Sequence, residues 1–117
     1  MSAYGNLLKT LINFSGSKLS IVAEEVGYDV SYISKWCNKA KLPASKMAPN
    51  INRTLANHFS HEILKHEDLA SFSRQFSVEA TPDSLNSIIY NLLKENYKES
   101  SRKAAAVRSS LPGSAAR

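Results

Sequence analysis

The chain is short of cysteine, glycine and proline, with one, four and four in 117 residues, and its longest apolar run is Ala104–Val107. A lone thiol, Cys37, excludes an internal disulfide and fits a reducing compartment. So short an apolar run excludes a membrane-spanning helix, and Met1-Ser2-Ala3-Tyr4-Gly5-Asn6 has neither the basic nor the apolar region of a leader peptide. The expected location is therefore cytoplasmic. Few breakers, and apolar residues at helical rather than alternating spacing, predict an all-α fold with no strand.

Catalytic signatures are lacking too. There is no nucleophile constellation, phosphate loop or glycine fingerprint, so neither enzymatic activity nor a cofactor is expected. His58, Glu62 and His66 share one helical face, but no cysteine or second carboxylate completes a metal's coordination, and solvated surface residues are the expected reading. His61-Glu62 does not make a zinc protease helix, because Lys65 stands where the second histidine is needed.

Acids are the scarcer charge, 10 against 15 Lys and Arg, and the imbalance is uneven along the chain. Residues 1–57 carry seven basic and three acidic side chains, residues 58–99 four and seven, and residues 100–117 four and none. Phosphate contact is thus expected from the first segment, with the middle repelled by polyanions.

Helical spacing predicts α-helices over 4–14, 18–26, 30–38, from near Ala48 to Lys65, and 82–103. Leu7, Leu8, Leu11 and Ile12 give the first its apolar side, and Ser15-Gly16-Ser17 ends it. Pro49 fits only a first helical turn, which sets the fourth start. Leu69, Phe72 and Phe76 suggest a further helix packing back within the poorly readable 66–80. Thr81 is the expected cap of the last helix, with Pro82 at its first position. The apolar face Leu85, Ile88, Ile89 and Leu92 is expected to pack on its own domain or to form a homodimer. The expected organisation is a domain over 1–66, a helical extension over 67–103 and a disordered basic tail over 104–117.

Ala23 to Pro43, AEEVGYDVSYISKWCNKAKLP, is the most informative stretch. Val22, Ala23 and Val26 share a face, Gly27 stands where a left-handed residue would end that helix, and Asp29 can cap the next. Val30, Ile33 and Trp36 then recur every third residue, a narrow apolar stripe that leaves Ser31, Tyr32, Ser34, Lys35 and Asn38 outward. A helix that only packed would need a broader apolar face.

These residues resemble the lambda-repressor-like helix-turn-helix family, the Xre or Cro/C1 type, over about residues 4–65. Ala23, Gly27, Ile33, Trp36 and Pro43 stand at its anchor positions. Cys37 replaces the family's usual glutamate, Lys39 its frequent turn glycine, and Ser17-Lys18-Leu19-Ser20 lacks its glutamine. The family also breaks the fourth helix, for which no Gly or Pro is present here.

The resemblance implies sequence-specific binding of double-stranded DNA by a transcriptional regulator, a repressor by expectation, with the third helix in the major groove. Carried over position by position, it makes Val30, Ser31 and Lys35 base contacts; the polar and basic residues around them, Ser17, Lys18, Ser20, Tyr32, Ser34, Asn38, Lys39, Lys41 and Lys46, are the expected backbone contacts, with Lys18 or Ser20 replacing the missing glutamine. The rival reading is a protein-interaction module, an antitoxin or adaptor, or the amino-terminal part of a larger sensor.

Overall fold

Side-chain caps open α-helices at Ser2, Asp29 and Thr81, and left-handed residues close helices at Gly16, Gly27 and Ser77. The computed structural model describes residues 2–109, and these hold six helices and no strand. Helix α1 (Ala3–Ser15) starts with the Ser2 hydroxyl accepting the Gly5 N–H at 2.9 Å and ends at Gly16, whose φ is 67°. Helices α2 (Leu19–Val26) and α3 (Val30–Asn38) follow, separated by three residues. Helix α4 (Ala48–Lys65) carries Pro49 in its first turn, where no N–H is needed, and runs unbroken to Lys65. Helix α5 (Leu69–Phe76) is a short amphipathic piece and α6 (Leu85–Ser109) the longest element.

Helices α1, α4 and α6 form the frame, and α2 and α3 pack on it. Helix α6 runs antiparallel to α4, since Asn86 reaches Asn57 and Ser60 at one end, while Lys94 and Tyr97 share a cleft with Ala48, Pro49 and Asn52 at the other. One apolar core extends from Tyr4 to Leu93, and Leu8, Ile33, Leu55, Phe59, Phe72 and Ile89 within it are wholly shielded from water. Its polar members are satisfied. The Tyr4 hydroxyl donates to Asn52 Oδ1 at 2.7 Å and the Tyr4 N–H donates to Ser100 Oγ at 2.9 Å.

One open alternative is resolved and two bounds shift. The segment 67–103 packs back on the rest of the chain, Phe72, Leu85, Ile89 and Leu93 filling the same core as α1 and α4. Of the two alternatives for Leu85, Ile88, Ile89 and Leu92, packing on the chain's own core is the one seen, with Leu85 and Ile89 fully buried and Ile88 and Leu92 packed against the core. The last helix starts at Leu85 rather than Pro82, although Thr81 still caps it. Its hydroxyl accepts the Ser84 N–H at 3.1 Å while Ser84 Oγ accepts the Thr81 N–H at 2.9 Å, a capping box with serine in the returning role. Finally, the chain remains helical past Ala104, where disorder was expected. Ala104–Ala106 are strong helix formers, and basic residues favour a helix C-terminus. The rest of that expected tail, 110–117, lies outside the described residues.

No helix among the described residues is long and apolar enough to cross a membrane.

Candidate functional site

The hinge between α2 and α3 is built from one glycine and one small residue. Gly27 adopts φ 78°, ψ 28°, and both its own N–H and that of Tyr28 donate to the Ala23 carbonyl, at 2.9 and 3.0 Å. Ala23 is buried, so the two helices close on a methyl group rather than on a bulky side chain. Asp29 is extended at φ −69°, ψ 150° and caps α3, accepting the Ser31 hydroxyl at 2.7 Å and the Ser31 N–H at 3.4 Å. The Ser31 hydroxyl chiefly, then the backbone, hold the Asp29 carboxyl below its ordinary range.

Helix α3 buries Ile33, Trp36 and Cys37, with Cys37 in place of the expected Val30, which is 40% exposed at the helix start. Ser31, Lys35 and Asn38 point away from that stripe and are exposed. The Tyr28 ring, a turn residue that spacing rules passed over, stands edge-on to Tyr32 at 5.4 Å and to Trp36 at 5.3 Å. Tyr32 is thereby held as a shelf, 49% exposed, with the Lys35 ammonium 5.8 Å from its ring centre.

The expected backbone contacts divide. Lys18, Ser20, Lys39, Lys41 and Lys46 are exposed. Ser17 is committed internally, its hydroxyl 2.7 Å from Ser15 Oγ and 2.8 Å from His58 Nε2, which also gives His58 a structural partner. Ser34 is half-buried, and Asn38 accepts the Lys9 ammonium at 3.2 Å. No three His, Cys, Asp or Glu side chains gather into a metal-holding group among the described residues.

Beyond α3 the turn is made without glycine. Lys39 keeps a negative φ and Ala40 takes the left-handed conformation at φ 57°. The loop is then fastened by buried Pro43, whose carbonyl accepts the Tyr97 hydroxyl at 2.7 Å. The C-terminal end of α3 also lies tight on α1. A Cβ added at Gly5 would collide with the Trp36 carbonyl oxygen and lie 3.1 Å from that of Cys37. Burial raises the Cys37 thiol above its ordinary pKa despite the nearby Lys9, which marks a packing residue rather than a reactive one.

Two acidic residues, Glu24 and the cap Asp29, bear on the electrostatics of this region. Glu24 and Asp29 line the shallow concavity between α2 and the start of α3, together with Ser20, Ala23, Tyr28 and Val30. Carboxylates there oppose phosphate, whereas the lysines lie around the far end of α3 and its loop. Their signal was present as AEEVGYD, but spacing alone did not show that both acids border one concavity.

No protein-family model, curated protein or solved structure matches this chain.

Proposed function

We propose that this protein is a helix-turn-helix regulator of the lambda-repressor-like kind, acting in the cytoplasm and binding double-stranded DNA with α3 in the major groove. One observation carries the reading. A glycine hinge closed over Ala23 presents a helix whose buried stripe is only Ile33, Trp36 and Cys37, leaving Ser31 and Lys35 free on the outer face. Lys35 is the base reader of choice, able to donate to guanine O6 and N7, and the methyls of Val30 can meet a thymine methyl. The Ser31 hydroxyl already donates to Asp29, so it serves a base only as acceptor. Lys18, Lys41 and Lys46 neutralise phosphates.

Selection of bound duplexes from a random DNA pool, with sizing of the free protein, tests this. A dimeric regulator enriches a palindrome with half-sites roughly 10 bp apart, and its binding falls steeply with salt. Lys35→Ala should cost about 1–3 kcal/mol on the selected site and relax one position, whereas Lys41→Ala should weaken all sequences alike. Enrichment of no sequence at low salt sinks the proposal.

A second reading, a protein-interaction module, is favoured by the apolar exposure around the same hinge. Leu19, Ile21, Val30 and Tyr32 on α2 and α3 are 39–49% exposed, and Val30 shares a concavity with Glu24 and Asp29, a mixture better suited to a protein partner than to phosphate. That reading predicts no enriched duplex and no steep salt dependence.

A further inference from the structure

We infer that α6 supplies a second set of phosphate contacts to the duplex held by α3, through Arg102 and Lys103. The inference rests on the DNA-binding reading above and enlarges its footprint. Lys103 and Ala104 form one side of a cleft whose other side is Ala40 and Leu42, the residues that leave α3, with Ser2 and Ala3 between them. The Tyr97 hydroxyl bond to Pro43 and the Ser100 hydroxyl bond from the Tyr4 N–H fix this part of α6 against the loop and α1. Lys103 therefore stands against Ala40 and Leu42 of the loop that also carries the exposed Lys39 and Lys41, and Lys9 reaches the end of α3 by donating to Asn38. Side chains from α1, the loop and α6, remote in sequence, make one basic surface about the last turn of α3.

Glu99 is the carboxylate in contact with the α6 cations, 3.8 Å from Arg102 and 3.6 Å from Lys103, with all three side chains 49–76% exposed. One carboxylate shared by two cations leaves surplus positive charge, and ion pairs this exposed contribute little to the fold. A phosphate, by contrast, is a full anion that accepts from both cations and releases condensed counterions when it is neutralised. Ser100 is buried, and the next residues, Ser101, Arg102 and Lys103, are exposed outside the core, open to a long polyanion.

The test compares the wild type with R102Q/K103Q, Lys35→Ala and a control, K65Q/R74Q, on the opposite end of the bundle. Each is titrated over a range of salt with a selected duplex and with a mixed-sequence duplex of about 30 bp, roughly three helical turns. The substituted side chains are exposed, and unchanged helical circular dichroism verifies the fold. If α6 meets two phosphates, R102Q/K103Q lowers the log–log salt slope by about 1.8 on both duplexes, 0.9 per contact, and the control leaves it unchanged. A wild-type slope in R102Q/K103Q, or a wild type that binds no duplex, overturns the inference. A lowered slope in R102Q/K103Q with undiminished sequence preference in Lys35→Ala supports the α6 contact and removes α3 as the reader.

Discussion

At one end of the bundle Phe14, Phe72 and Phe76 pack ring on ring, with Phe72 and Phe76 stacked at 4.5 Å and Phe14 edge-on to both. At the other, Tyr4, Asn52, Tyr97 and Ser100 are tied to one another and to the loop after α3 through directed hydrogen bonds. The exteriors differ as well. Glu67 and Asp68 precede α5 and Glu79 follows it at the aromatic end, while Lys103 and the loop that carries Lys39 and Lys41 lie at the hydrogen-bonded end. Dispersion and burial need no particular partner outside, so the aromatic end is a closing plug. Hydrogen bonds hold a loop in one path, which is what a surface offered to a ligand requires. Charge counted along the chain does not follow this division. Residues 58–99 are net acidic, yet Lys94 and Lys98 within them border Ser45 of the loop at the basic end.

The largest effect should come from the plug. Phe72→Ala removes a fully buried ring against Phe14 and Phe76 and should cost about 3–5 kcal/mol in urea unfolding, enough to leave little of an ordinary domain's margin. The salt slope of duplex binding by the fraction that stays folded should not change. A changed slope would mean that the two ends are coupled and that the comparison fails.

Much of this fold was legible, and the reason lies in its turns. Gly16 and Gly27 take the left-handed conformation at the ends of α1 and α2, where glycine announces it, and the bounds expected there fall within a residue of those observed. Three later turns use Ala40, Glu67 and Ser77 at φ 55–57°, residues that disfavour that conformation and so give no warning. The segment 66–80 was unreadable for that reason, and so was the loop after α3. The exposed part of the site, Lys35 above all, was visible as polar residues left over by the Ile33–Trp36 stripe. The internal commitment of Ser17 to His58 was not, because it joins residues 41 apart in sequence. Nor was the placing of α6 beside the loop, which depends on how α1, α4 and α6 pack.

A smaller effect is expected at the hydrogen-bonded end. Tyr97→Phe deletes the donor to the Pro43 carbonyl while keeping the edge-on contact with Tyr4, and should cost about 1 kcal/mol. Burial raises the Tyr97 phenol above its ordinary pKa, so its contribution is complete below pH about 10 and is lost as pH climbs through the higher folded value. Unfolding midpoints measured from neutral to strongly alkaline pH should fall less steeply in the variant than in the wild type. Buried Tyr4 titrates higher still for the same reason and supplies the decline that remains. Weakened duplex binding in this variant, beyond what its stability explains, would show that the loop path matters to the basic surface. Unaltered binding would make Tyr97 a stabilising residue only.

The smallest effect is the most discriminating, because it touches the one place where the candidate interface carries the wrong sign for DNA. Asp29→Asn keeps a capping side chain of equal quality, so the stability of α3 should hardly move at neutral pH. What disappears is a carboxylate that stays ionised well into acid, since its contribution to α3 is present above the ordinary carboxylate range and lost only as pH falls through the lowered folded value. A phosphate entering the concavity beside Glu24 and Asp29 would then meet one negative charge fewer. Duplex affinity at low salt should rise about two- to fivefold, shrinking as the Debye length shortens. If affinity falls instead, the Asp29–Ser31 pair is itself part of base recognition, with Ser31 oriented by its bond to the carboxylate. If duplex affinity does not respond at all, phosphate does not approach the start of α3, and any DNA contact belongs to the lysine-rich far end rather than to a helix inserted nose-first into the groove.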